Sequence, residues 1–257
     1  MEQNQSQRRS RQKRKRSFLG RFFTFLIICL VLLVGISMFF RVNEIFVTGE
    51  TRYTAQEVID ASGITSGDHL LFVSNETVGR AIQAELPYIG HVELRRRFPD
   101  RLEITVEETL PMARMQAGNG YFVLDRDAKV LEWLDDAPAM GLIDITGLPE
   151  PISLRTGETL TLDETEQDHV RYLQNILSMV STLGLTDQIS HVDMTEIHDP
   201  TLLYDGRFIV RLGPNLNLHH KMDMLAGIIA YMGEDESGTI DLSLDRPSFR
   251  PHEVGSQ

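Results

Sequence analysis

The sequence predicts an α+β protein: a single transmembrane helix, a small strand–helix–helix–strand–strand unit, and a second α+β domain on a mostly antiparallel sheet. Three observations carry this. Residues 22–40 form an uncharged apolar run of nineteen residues. Two helical patterns then sit between one short strand and a clear hairpin. Beyond residue 111 come short alternating strands, punctuated by Gly-rich turns and interrupted by two amphipathic helices. The parts divide as a basic tail (1–21), the span (22–40), the small unit (42–110), the sheet domain (111–246) and a C-terminal tail (247–257).

The run FFTFLIICLVLLVGISMFF spans about 28 Å as a helix, close to the thickness of a bilayer core. A cleaved signal peptide has a shorter apolar region followed by small residues, whereas this run ends in Met38, Phe39, Phe40 and Arg41. An uncleaved anchor fits better. Residues 1–21 hold eight Lys/Arg and one acid, and the remaining 236 residues carry 17 basic and 36 acidic side chains. Under the positive-inside rule the basic flank stays cytoplasmic and everything after Arg41 lies outside, a single-pass type II arrangement. The tail also suits anionic lipid. The single cysteine, Cys29, lies inside the run, so the exported part has neither an internal disulfide nor a thiol nucleophile.

VNEIFVTGE opens the small unit as a strand ended by Gly49. Thr54-Ala55-Gln56-Glu57 is a capping box. Ala55, Val58, Ile59 and Ser62 follow at helical spacing, with Gly63 as the stop. A second helix begins near Ser74 with the stripe Val78, Ala81, Ile82, Glu85 and Leu86, ended by Pro87. In VELRRRFPDRLEITVEETLPMA, Val92 and Leu94 alternate with Glu93 and Arg95, and Leu102, Ile104 and Val106 alternate with polar residues. Phe98-Pro99-Asp100 is turn chemistry between the two strands. Arg95, Arg97 and Arg101 are placed to face Glu103 and Glu107 across the pair. A nucleic-acid role for the arginines is disfavoured by the acidic surroundings and the lack of interleaved aromatics.

Strands are expected at 112–116, 121–124, 129–133, 142–145, 188–197, 202–204 and 207–212. Gly118-Asn119-Gly120 and Asp205-Gly206 supply turns. A helix from about Asp163 carries the stripe Val170, Leu173, Ile176, Leu177 and Val180 to Gly184. A last helix carries Leu218, Met222, Leu225, Ile229 and Met232. Ile240, Leu242 and Leu244 alternate with Asp241, Ser243 and Asp245 as a terminal strand, and Pro247 and Pro251 bracket Phe249 in the tail.

Candidate chemistry is sparse. His219-His220-x-x-Asp223 lies on a helix that also supplies core residues, without the HExxH pattern of a zinc site. His191-x-Asp193 alternates along a strand. Asp125-Arg126-Asp127 starts like a calcium loop but lacks the Gly and Glu that follow at EF-hand spacing, and reads as a turn. There is no Gly-x-Ser-x-Gly, Ser-x-x-Lys or phosphate loop. No catalytic, metal or cofactor residue, nucleic acid or small-molecule substrate is expected.

The opening VNEIFVTGETRYTAQEVIDASGI and the hairpin VELRRRFPDRLEITVEETLPMA, following a basic tail and an apolar anchor, resemble the POTRA domain of the bacterial division proteins FtsQ and DivIB. The later strand and helix order resembles the β domain of that family. The resemblance implies a bitopic divisome scaffold at the septum. It would bind FtsB/DivIC-like and FtsL-like membrane proteins and link them to septal peptidoglycan synthesis. Partner binding is expected by strand addition at a terminal sheet edge. Leu244 and Phe249 would anchor the partner, while Asp241, Ser243 and Asp245 discourage unwanted pairing and Ile240 and Leu242 fill the core. The alternative is a signal-anchored extracytoplasmic enzyme such as a cell-wall hydrolase.

Overall fold

The computed structural model describes residues 22–32, 34–35, 40–136, 141–151, 153–244 and 246–252. Residues 22–32 and 34–35 are helical. The basic tail, part of the expected span and Asp245 lie outside the described residues. Among the described residues, no helix is long and apolar enough to cross a membrane.

The small unit runs β1 (Glu44–Thr48), α1 (Ala55–Ser62), α2 (Asn75–Glu85), β2 (Ile89–Arg97) and β3 (Arg101–Glu108). Its sheet has the order β1-β3-β2, with β1 parallel and β2 antiparallel to the central strand. The capping box forms as the spacing predicts: the Thr54 amide donates to Glu57 Oε2 at 2.7 Å and the Glu57 amide to Thr54 Oγ1 at 3.3 Å. Val58, Ile82, Leu102, Ile104 and Val106 fill the space between helices and sheet. The buried stripes are narrower than the periodicity suggested. Ala55, Ala81 and Glu85 are exposed, and Gly79 takes the contact position against Val92 instead.

Arg96 is a departure from the simple alternation. It pairs with Leu102 and shares the core-side register of Val92 and Leu94. Its guanidinium escapes at the sheet's end, where Nε donates to the Leu70 carbonyl at 3.0 Å and Nη2 to that of Val73 at 2.6 Å. The outer-face charges also sort differently. Arg97 bridges Glu103 at 3.0 Å as expected, but Arg95 takes its neighbour Glu93 and Arg101 takes Glu44 on β1.

The larger unit contains β4 (Ala113–Ala117), β5 (Gly120–Leu124), β6 (Val130–Leu134), β7 (Ile143–Thr146), α3 (Gln167–Thr182), β8 (Ile189–Asp193), β9 (Thr201–Tyr204), β10 (Phe208–Arg211), α4 (Leu218–Ile229), β11 (Gly238–Asp241) and β12 (Ser248–Pro251). They build one nine-stranded sheet, β12-β11-β10-β9-β8-β7-β4-β5-β6. Five of its pairings are antiparallel, and β4–β7, β7–β8 and β10–β11 are parallel. All five residues of the expected α3 stripe are buried against this sheet. Asp205 and Gly206 both take positive φ, 51° and 66°, but Tyr204 pairs with Phe208, so three residues, 205–207, join the strands where the Asp205-Gly206 pair implied a two-residue turn.

The two units meet at the β6 end. Tyr88, Val123 and Leu131 form a small buried cluster across the junction. Lys129 Nζ reaches across to the Ile89 carbonyl at 2.7 Å, with Asp125 Oδ2 at 4.0 Å. Burial lowers the Lys129 pKa, and Asp125 opposes that shift. Asp125-Arg126-Asp127 is the tight turn its residues suggested, with Asp125 Oδ1 accepting the Asp127 and Lys129 amides, each at 2.9 Å.

Candidate functional site

The C-terminal end of the nine-stranded sheet differs from the sequence expectation in one respect. The strand expected over 240–244 ends at Asp241, and it is not the border of the sheet. The chain returns as β12, antiparallel to β11, with Ile240 opposite Phe249 and Asp241 opposite Ser248. The proline-bracketed segment that read as tail is thus the edge strand.

Several local features hold this return. A Cβ at Gly238 would lie 2.3 Å from the Arg250 carbonyl oxygen, so only glycine lets β12 approach there. Phe249 packs half-buried on Phe208, ring centroids 6.2 Å apart. Asp241 is buried, unlike the solvent-facing acid its alternation implied. Its Oδ1 accepts the Ser243 hydroxyl at 2.6 Å and amide at 2.9 Å, and its Oδ2 accepts Arg211 Nη1 at 3.0 Å. Arg211 is gripped on its other side by Asp199. Burial raises the Asp241 pKa, but the Ser243 hydrogen bonds, Arg211 and Arg250 together outweigh it and leave the carboxyl below its ordinary range. Asp241 and Ser243 therefore shape the turn. Ile240 and Leu242 are fully buried, as expected of core residues.

The adjoining turn at 212–214 is pinned by buried donors. Lys221 Nζ bonds the carbonyls of Leu212 at 2.6 Å and Pro214 at 2.7 Å, and the Tyr172 hydroxyl bonds that of Gly213 at 2.7 Å. Burial lowers the Lys221 pKa and raises that of Tyr172. The edge thus rests on a stiff base.

What the edge presents follows from its hydrogen-bond phase. The His252 amide donates to the Ser237 carbonyl at 3.0 Å. Pairing alternates along an antiparallel ladder, so Ser248 and Arg250 also direct their N–H and C=O groups toward β11. Phe249 and Pro251 direct theirs away. Proline has no N–H, so Phe249 carries the one outward donor of β12. Leu244, between β11 and β12 in the chain, is 65% exposed, and Tyr231, just beyond α4, is 91% exposed. The structure thus brings Phe249, Asp241 and Ser243 together at the edge and leaves Leu244 projecting beside it.

His219 and Asp223 form an exposed pair at 3.6 Å. Among the described residues, no group of three or more His, Cys, Asp or Glu is arranged to hold a metal ion.

Comparison with known proteins agrees with this architecture. The family model described as POTRA domain, FtsQ-type, matches residues 40–109. The cell division protein FtsQ of Geobacter sp. (strain M21) is 31% identical over 202 residues, covering 76% of this chain and 69% of the relative. The chain belongs to the FtsQ/DivIB family of cell division proteins. FtsQ of Anaeromyxobacter sp. (strain K) is 29% identical over 80% of this chain and 67% of its own length. DivIB of Clostridium acetobutylicum is 24% identical over 84% and 85%. Similarity to FtsQ and DivIB extends well beyond the POTRA unit into the nine-stranded domain, and it assigns the chain a role in cell division.

Proposed function

We propose that this FtsQ/DivIB-family chain is a bitopic division scaffold rather than an enzyme. The span over 22–40 anchors it with the N-terminus in the cytoplasm. The open β12 edge recruits an extended segment of an FtsB/DivIC-like or FtsL-like membrane partner, tying it to septal peptidoglycan synthesis. The observation that carries this reading is the Phe249 edge. One outward N–H and the carbonyls of Phe249 and Pro251 suit a short added strand, while Leu244 offers an apolar anchor beside it. Pro247 and Pro251 blunt the rest of the edge against indiscriminate pairing.

The test is in-cell photocrosslinking from position 244 in the full chain. Capture of an FtsB/DivIC-like or FtsL-like protein is expected, and its loss in a Phe249→Asp chain that still accumulates. Capture unchanged by Phe249→Asp, or no such capture, overturns strand addition here. An anchored wall hydrolase would release soluble fragments from peptidoglycan incubated with the chain, and such release would overturn the scaffold reading.

A further inference from the structure

The end of the POTRA unit nearest the apolar run is unusually greasy. Phe72 is 83% exposed, Phe98 60%, Phe46 49% and Leu71 48%. Phe98 meets Phe40, the last residue of the run, and shares one surface with Phe46. The Phe40 and Phe98 rings meet edge-on with centroids 5.4 Å apart. The Leu70 amide donates to the Phe40 carbonyl at 3.0 Å, which places Leu71 and Phe72 beside the same point. Arg101 lies over the Phe46 ring at 5.7 Å. Arg41 has an exposed side chain in the same region, and Arg97 and Arg101, also exposed, are paired there with Glu103 and Glu44.

No linker separates this end from the run. Val42 is fully buried, and its amide bonds the Asp68 carbonyl at 2.9 Å. Two extended residues cover about 7 Å. The polar interfacial layer on each side of a bilayer core is itself roughly 5–7 Å thick. If Phe40 ends the span, the surrounding side chains cannot avoid that layer. Apolar rings buried to the headgroup boundary, with basic groups among them, are the chemistry of interfacial binding.

We propose that the base of the POTRA unit, centred on Phe72 and Phe98, lies in the outer interfacial layer of the membrane that the run enters. Phe72, Phe98 and Leu71 bury their apolar faces among the upper acyl chains, and Arg41 meets lipid phosphates, while Arg97 and Arg101 stay paired with Glu103 and Glu44. The bilayer, not another protein, covers this patch. The POTRA unit is thereby held at a fixed height and tilt. This inference rests on the reading of 22–40 as a span.

The test uses the full chain in lipid nanodiscs, with 4-fluorophenylalanine incorporated singly at positions 72, 98 and 231. Some lipids carry a gadolinium chelate on the headgroup. Arg207, at the head of β10, bonds the Gly233 carbonyl two residues from position 231 at 3.1 Å, and six strand spacings separate β10 from the POTRA junction at β6, about 28 Å along the sheet. Fluorine relaxation at 72 and 98 is expected to be at least several-fold faster than at 231. A chain retained in the discs whose fluorines at 72 and 98 relax no faster than at 231 overturns the inference while leaving the span intact. That result would make the patch a site for protein. A chain that fails to enter discs and does not float with vesicles overturns the span, and this inference with it.

Discussion

The two ends of the nine-stranded sheet solve the same problem in opposite ways. At one end, β6 is closed. The Val130 amide donates to the Glu158 carbonyl at 2.9 Å and the Gly157 amide to the Val130 carbonyl at 2.8 Å, so a crossing loop occupies the outer ladder. The same loop presses on the POTRA unit, since a Cβ at Gly157 would sit 2.4 Å from the Ala84 carbonyl oxygen. Tyr88 is held there beneath Arg52, with burial, and then Glu132, pushing its pKa up to about 12. At the other end, β12 has no covering segment among the described residues and carries two prolines at its margins. The contrast teaches that an edge strand is left open only where its exposure is restricted, here to one donor.

The comparison is broken most severely at the closed end. Lys129→Ala removes the buried cation beside Asp125 and strands the Ile89 carbonyl; a loss of about 3 kcal/mol is expected in chemical denaturation. An unchanged midpoint would mean that the junction does not depend on this contact. Gly157→Ala combines a positive φ of 88° with the clash on Ala84, and about 2 kcal/mol should be lost. If the variant melts as the parent does, the loop is not pressed between the units.

Effects at the open end should be smaller and differ in kind. Asp241→Asn keeps a partial hydrogen bond to Ser243 but loses the charge facing Arg211, so about 1 kcal/mol is expected at neutral pH. The sign of its pH dependence follows from the lowered carboxyl. An acid with a folded pKa below its unfolded value contributes fully above the unfolded value, about 3.9, and that contribution fades as pH falls through the folded value. The stability gap between parent and variant should therefore be constant near neutrality and close on acidification. A gap that widened in acid would mean that the carboxyl is not held down. Leu244→Glu should shift stability by no more than about 0.5 kcal/mol while abolishing partner capture. A large loss of stability would show that Leu244 supports the fold instead of a partner.

Local signals made much of this fold legible in the sequence. The Thr54–Glu57 box, the Phe98-Pro99-Asp100 turn, the Asp205-Gly206 hairpin and the α3 stripe each encode their structure within a few residues. What depends on distant partners was not legible. Asp241 alternates like a surface acid, and only the fold brings Arg211 to it. Arg96 occupies a core register because the carbonyls of Leu70 and Val73 happen to end there. Lys129 and Lys221 look like solvated lysines until burial gives them carbonyl partners. The strand Ser-Phe-Arg-Pro is too short and too rich in flanking proline to register as a strand on its own. At the candidate site, Leu244 and Phe249 stood out in the sequence as apolar anchors, Leu244 on an expected terminal strand and Phe249 in the tail, but which strand forms the border was not legible.

Gly238 bears on what defects in this protein would look like. It is a single position without a side chain, yet it licenses the last strand to zip onto the sheet. A larger residue would let the C-terminal segment peel away and shift the frontier inward to β11. Such a protein could keep its eight inner strands paired and still turn its visitors away at the door.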